Sequence, residues 1–363
     1  MKNPGRRIVL LGALACGPVL DAQQPTSYFY KGLPYGSEAT FNPIAVLLNG
    51  GFDEVQAYGV SNSPADIPWS NANRNLWNNL RSPFSHIRTY GWEEFVRNEI
   101  LPVSLDRFHM QYFPNYTLHL LGGGMVSRKM TEWYRYHGYP SPALLSAVTS
   151  MSYHYIHELI ETKDFSKSNI DPIADLYIFD PLGILLFSFD GVAEFFAGEL
   201  SFNDWSSQPA VSFAPFAVRN VSQSFVMKYP LTESKSMSVF YHFGAFGIAG
   251  LSFKTSGDES VSFGAGLTSK SAFTYDINDE MIAQTIHVGG MAGVYFDRNN
   301  SLLASLVVAD NFNDLVRFNV FPGLISFLDF SPGFFVSAGG RSLFTVGVTF
   351  QSAPFGLSLH APN

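Results

Sequence analysis

The chain has one cysteine, Cys16, so no intramolecular disulfide can brace its fold. It is also short of charge. Asp, Glu, Lys and Arg make up 14% of it, against about 25% in average soluble domains. Basic residues are the scarcer sign, 22 Lys and Arg against 30 Asp and Glu, for a formal charge of −8. That balance excludes a nucleic-acid partner, which needs a basic face to displace counterions. The chain also lacks an uninterrupted apolar run of the roughly 20 residues that cross a bilayer as a helix. Asp190 and Glu194 interrupt the strongest candidate, residues 182–196, which reads as a buried or interfacial helix. Aromatics, by contrast, are abundant: 15% of the chain, with 34 Phe. Few charges and many Phe suit a protein that touches something apolar.

The N-terminus predicts export. Lys2, Arg6 and Arg7 precede the apolar residues 8–16, Pro18 follows, and Ala22 offers a small residue for cleavage. That is the order of a secretory signal peptide, here residues 1–22. Ala13-Leu14-Ala15-Cys16 resembles a lipoprotein cleavage box, but Ala13 stands where such boxes carry Leu. Cleavage after Ala22 is therefore favoured over lipidation of Cys16. The remaining chain would hold 19 basic and 29 acidic residues, a charge of −10, and no cysteine. A chain without thiols is indifferent to an oxidising compartment.

Residues 23–110 read as mixed loops and short helices. Asn42-Pro43 is a cap with Pro in the first turn, opening an apolar stretch at 44–48 that Gly50-Gly51 should end. Residues 58–75, rich in Asn, Ser and Pro, read as a loop. Short helices are expected from Leu76, from Ser82-Pro83 and over residues 92–101, where Pro102 stops the last. Residues 111–200 form a helical region whose clearest element is a hairpin. One helix covers 117–137 and ends at Gly138; the second opens at Ser141-Pro142 and runs to about Glu161. So short a link makes the two antiparallel. Asp171-Pro172 and Asp180-Pro181 repeat the cap-plus-Pro pattern.

The region 201–363 changes to a period of 2 from about residue 219. Phe344, Val346, Val348 and Phe350 alternate with Thr345, Gly347 and Thr349, and similar patterns recur. Turn signals such as Ser256-Gly257-Asp258 separate roughly eight to ten strands. No helix-length segment lies between them, so antiparallel pairing is expected. Charges gather in the turns, and the face opposite the apolar one is mostly Gly, Ser and Thr. The expectation is an antiparallel β-barrel with small polar residues inside and an apolar face toward lipid. A soluble β domain is the alternative, because several strands read shorter than the ~9–11 residues of a membrane strand. The fold class is α+β: an N-terminal helical region with an antiparallel hairpin, then the barrel.

Polar residues of the hairpin should meet. At equal rise per residue, paired positions sum to about 279, which sets His119 beside Ile160. His157 and Glu161 are four apart and share a face, as do His154 and Glu158, and Asp171 and Asp175 are likewise spaced. His119, His157, Glu158, Glu161, Asp171 and Asp175 are thus expected at one end of the hairpin. Such a set can bind a divalent metal or share acid–base work. It is no zincin: that helix motif requires His where Glu161 stands. Taken singly, the same residues have plainer readings, with core histidines, caps at Asp171 and Asp180, and a solvated Glu161. Gly122-Gly123-Gly124 lacks the preceding strand and following Lys of an anion loop, so close helix packing is expected there.

The stretches PNYTLHLLGGGMVSRKMTEWYRYHGYPSP (114–142), HELIE (157–161) and DPIADLYIFDPLG (171–183) resemble a segment of uncharacterised bacterial envelope proteins. Those proteins share a helical His…Glu…Asp segment, and some continue into a β-rich C-terminal region. The resemblance implies an outer-membrane or periplasmic setting and draws attention to His119, Glu158, Asp171 and Asp175. Two function classes stay open. One is a non-enzymatic outer-membrane protein with a structural, plug or transport role. The other is an envelope enzyme acting on lipid or cell-wall material through the His/Glu/Asp cluster, with a divalent metal as its cofactor. Membrane lipid is the expected partner.

Overall fold

The computed structural model describes residues 26–57, 63–102, 115–311, 314–328, 330–340, 344–351 and 353–361; the signal segment expected at 1–22 lies outside them. The protein is α+β, with helices first and strands after. The helices are α1 (Gly36–Ala39), α2 (Pro43–Ala57), α3 (Trp69–Leu80), α4 (Pro83–Tyr90), α5 (Trp92–Phe95), α6 (Gly124–Tyr136), α7 (Pro142–Glu161), α8 (Asp171–Ala174), α9 (Asp180–Ser188) and α10 (Asp190–Gly198). Three π-helical segments adjoin them: Val96–Ile100 after α5, Tyr116–Gly123 before α6, and Asp175–Phe179 between α8 and α9.

Several of these helices depart from the sequence reading. Asn42 Oδ1 caps α2, accepting from Ile44 N at 3.0 Å and Ala45 N at 2.9 Å. Gly50-Gly51 does not end the helix, however. A Cβ on Gly50 would lie 2.4 Å from Tyr153 Cδ2, and one on Gly51 2.9 Å from Ile156 Cγ2. The glycines let α2 close on α7, and that contact outweighs their helix cost of roughly 1 kcal/mol each. The loop expected over 58–75 is also shorter: α3 begins at Trp69 and buries Ala72, Leu76 and Leu80 on one face, while 58–62 lie outside the described residues. Asp180 is not a cap. It sits within a helical run from Asp171 to Ser188, with Phe179 before it already helical. An extended Phe189 breaks that run, and α10 leaves at 88°. No single described helix is long and apolar enough to cross a membrane.

Thirteen described strands form one sheet: β1 (Asn203–Asp204), β2 (Ala210–Phe213), β3 (Phe216–Arg219), β4 (Phe225–Pro230), β5 (Met237–Phe243), β6 (Phe246–Ser256), β7 (Glu259–Asp276), β8 (Ile282–Arg298), β9 (Ser301–Ala309), β10 (Val316–Val320), β11 (Pro332–Ala338), β12 (Phe344–Phe350) and β13 (Gly356–Ala361). From β4 to β13 each strand pairs antiparallel with the next; the order is β1-β4, onward to β13, then β2-β3. The count exceeds the eight to ten expected, since β1, β2 and β3 are too short to show a period. One pair, β13 with β2, is parallel, contrary to expectation. It arises because β2 joins the sheet beside the last strand of the chain. The β8–β9 turn uses Asn299 and Asn300 at φ +53° and +62°, the left-handed pair that a two-residue hairpin demands.

The sheet buries its polar face. On β12, Phe344 and Val348 are exposed while Thr345, Gly347 and Thr349 are buried. Phe263, Val294, Leu306, Val308 and Leu359 are exposed too, whereas Ser252, Ser262, Ser305 and Ser358 are buried. Several side chains on the polar side bond to one another. Ser262 donates to Ser252 Oγ at 2.8 Å, Asn220 to Asn319 Oδ1 at 2.9 Å, and Lys228 Nζ to Asp297 at 2.5 Å. The two ends of the strand order are reached by one stretch of chain. Its first part bonds to the β4 side, Trp205 N to Ser224 O at 2.9 Å and Ser207 N to Ser222 O at 3.0 Å. Its last part accepts from β13 at Pro209 O, 2.8 Å from Gly356 N.

Helices and sheet share a Phe-rich core, in which Phe29 and Phe187 meet Phe202, Phe225 and Phe243. A cavity of about 100 Å³ on the polar side of the sheet is lined by Trp205, His242, Tyr295 and Asn319, and by Asp53 from α2.

Candidate metal centre

The hairpin brings its histidines together through its glycines. Gly183 on α9 lies so close to the π segment that a Cβ there would be 2.9 Å from His119 O. Asp180, one turn before Gly183, therefore faces His119. A Cβ on Gly123 would lie 2.8 Å from His154 Nε2, so this glycine makes room for the His154 ring. The close packing expected of Gly122–Gly124 is present, and it shapes the site. Gly123→Ala is expected to lower stability by about 1–3 kcal/mol, the cost of overpacking a filled core, and to move the His154 ring away from Asp180. Thermal unfolding measures the first effect and the NMR shift of the His154 ring the second; a variant unchanged in both would contradict this role.

His119 does not stand beside Ile160 as equal rise predicts. Its ring lies 4.9 Å from that of His154 and 6.3 Å from that of His157, centroid to centroid. The reason is the π segment Tyr116–Gly123, which packs more residues into each unit of helix length and so draws His119 toward the turn. Both His119 and Asp175 sit on π segments, a winding found mostly at functional sites. The sequence periodicity gave no sign of it.

Three sets of side chains place potential ligand atoms within 4.8 Å of one another: His119, His154 and Asp180; His119, Glu158 and Asp175; and His157, Glu158 and Glu161. Asp171 stands beside them, its charge acting on Glu158, Glu161 and Asp175 while its Oδ1 accepts from Asn115 Nδ2 at 3.0 Å. Of the six residues expected to converge, His119, His157, Glu158, Glu161 and Asp175 fall within these sets, and Asp171 does not. Three more belong with them: His154, Asp180, which reads as a cap in the sequence, and Asp53, which carries no sequence signal. Helix spacing could have paired Asp180 with the cluster, but nothing local could have brought Asp53 from α2.

The hydrogen bonds sort these sets. Asp180 Oδ1 accepts from His119 Nδ1 at 2.9 Å, and His154 Nε2 lies 3.1 Å from the same oxygen. That orients His119 so that Nε2 faces Asp175 Oδ2 at 3.4 Å. Asp53 Oδ1 likewise accepts from His157 Nδ1 at 3.2 Å, leaving His157 Nε2 toward Glu161 Oε2 at 3.7 Å. A carboxylate holding the far nitrogen of a histidine is the usual outer support of a metal-ligating imidazole.

Glu158 lies between these arms and is fully buried, yet neither of its oxygens has a hydrogen-bond partner. Asp175 Oδ1 and Asp180 Oδ2 are also unpartnered. Glu132 shows what a structural buried carboxylate looks like in the same protein. It accepts from the backbone of Tyr28, Phe29 and Tyr30 at 2.8–3.0 Å and pairs with Arg128 at 2.9 Å. Among the described residues, no Lys or Arg forms an ion pair with Glu158, Glu161, Asp171, Asp175 or Asp180. Burial, then mutual repulsion, pushes the Glu158 and Asp175 carboxyls well up, and Glu161 up to about 7. Burial, then the neighbouring His119 and His157, holds the His154 ring well below the usual histidine range. A divalent cation bound there would replace the protons that these buried carboxyls otherwise hold.

Comparison with family models, with curated proteins and with solved structures found no match to this chain.

Proposed function

We propose that this is an exported outer-membrane protein in which a lipid-embedded β-barrel carries a helical cap that binds divalent metal. The observation that carries the membrane part is the row of exposed apolar strand side chains, such as Phe263, Val294, Leu306 and Val348, while Ser252, Ser262, Thr345 and Thr349 are buried with an aromatic and aliphatic cluster. A soluble sheet would have the opposite arrangement. The stretch 203–213 supports closure, because it bonds to the β4 side at one end and to β13 at the other. Closure removes the open edges that no sheet keeps in hydrocarbon. The resemblance to envelope proteins and the N-terminal layout agree with this setting. For the metal part the support is Glu158, buried with two free oxygens between two supported histidines. A metal held there would act as a Lewis acid and could activate water, which keeps an envelope hydrolase as the role of the cap.

The experiment is fractionation of cells expressing the full chain, then gels with and without heating. The protein is expected in the outer-membrane fraction, needing detergent for release, and its band should shift on heating. Release as a soluble protein without detergent would overturn the barrel. Elemental analysis of the purified protein should find bound divalent metal; metal-free protein that takes up neither Zn(II) nor Mn(II) would overturn the cap's role.

A further inference from the structure

We infer that the cavity on the polar side of the sheet binds a small neutral ring molecule that carries a hydroxyl, of the chemical class of phenol. The cavity measures about 100 Å³, the same order as the ~150 Å³ space that admits benzene in a protein core. Trp205, Phe246, Phe321, Leu302 and Val307 give it apolar walls. The aromatic groups among its lining are packed together: Trp205 and Tyr295 lie 5.5 Å apart, and His242 and Phe246 4.9 Å, centroid to centroid. The charged residues that line it are already engaged. Arg317 pairs with Asp314, and Asp53 Oδ1 accepts from His157. A neutral molecule therefore suits the cavity better than an ion.

Three buried polar atoms on this lining have no hydrogen-bond partner among the described residues: His242 Nδ1, Tyr295 Oη and Ser269 Oγ. Their residues are 5%, 1% and 1% exposed. The Ser224 hydroxyl donates to Trp205 O at 2.9 Å, so its oxygen accepts from His242 Nε2 at 3.1 Å. With its proton on Nε2, His242 presents Nδ1 as a bare acceptor. Tyr295 presents a donor that lacks an acceptor. Its hydroxyl stands where a Cβ on Gly293 would lie 2.4 Å from it, so the glycine leaves room for that position. Buried donors and acceptors are costly to leave unmade. One ligand hydroxyl answers both kinds: its proton goes to His242 Nδ1 and its lone pairs accept from Tyr295 or Ser269. The ligand ring meanwhile covers the aromatic walls. Water would meet the polar atoms but gain nothing from those walls, since an ordered water relies on two to four polar partners. None of the three atoms belongs to the helical cluster, so this inference stands apart from the metal reading.

Full-length protein, in detergent or in buffer as its solubility requires, is titrated with 4-fluorophenol and separately with fluorobenzene. Fluorine NMR follows both, with the protein-free solution as blank. One saturable 4-fluorophenol per chain is expected, with fluorobenzene roughly tenfold weaker for want of its hydroxyl. Tyr295→Phe and His242→Phe should each weaken 4-fluorophenol by roughly threefold to tenfold, the worth of one neutral hydrogen bond, and change fluorobenzene little. No saturable binding of 4-fluorophenol would overturn the inference and leave the cavity to water. Fluorobenzene bound as tightly as 4-fluorophenol would overturn it too, since the polar atoms would then recognise nothing. Where a variant loses the parent's circular dichroism, the two probes compared on the parent decide the question.

Discussion

Val348→Arg is expected to keep the chain out of the membrane. Val348 is exposed on the apolar face of β12, and an arginine at mid-bilayer depth costs on the order of 2–4 kcal/mol in a membrane barrel, roughly 30- to 700-fold in insertion equilibrium. The control is Asp258→Arg, in the turn between β6 and β7, where a charge already stands. Folding into vesicles, read as the heat-shifted band, should fail or slow for the first variant and match the parent for the second. Equal insertion of both would show that the apolar face does not meet lipid. The polar face is no tolerant substitute. Thr345 is buried and bonded to His360 Nδ1 at 3.0 Å, so arginine there overpacks a filled interior.

The metal-free protein is expected to lose stability as pH rises from about 4.5 to about 7, and metal should reverse the trend. The sign follows from the carboxyls of the cap. Glu161 has its folded value raised to about 7 from 4.5, so over that window the native state binds more protons than the unfolded chain. Stability from this group is complete below the unfolded value and is lost as pH passes the folded one. The loss is roughly 3 kcal/mol for Glu161 alone, at about 1.4 kcal/mol per unit. Glu158 and Asp175, raised well above the ordinary range, extend the loss to higher pH. Added metal replaces those protons, so its stabilisation should grow with pH. Thermal unfolding of the chelated protein at pH 5 and pH 8, with and without Zn(II), measures both arms. Glu161→Gln should flatten the metal-free trend. A metal-free protein as stable at pH 8 as at pH 5 would show that these carboxyls do not share a dry site.

Much of the architecture is written locally. Period and turn chemistry are properties of neighbouring residues, so the alternation on β12, the Asn42 cap and the end of α6 at Gly138 could be read directly. The alternation also told which strand residues share a face, while the choice of the buried face stayed open between a barrel and a soluble sheet. The candidate cluster was legible because helix spacing and a short link fix which faces meet. What the sequence could not determine was anything set by contacts across long separations. α2 passes through Gly50-Gly51 only because α7 lies against it. Likewise β2 finds its parallel place beside β13, far along the chain, and Asp180 leaves a capping role because a glycine-lined helix brings His119 to it. The π winding that moves His119 from Ile160 to His154 and Glu158 depends on the same packing. Residue types and local geometry named the ligand candidates; only the tertiary structure decided which nitrogen faces which carboxylate, because that choice rests on Asp53 and Asp180, which come from other helices.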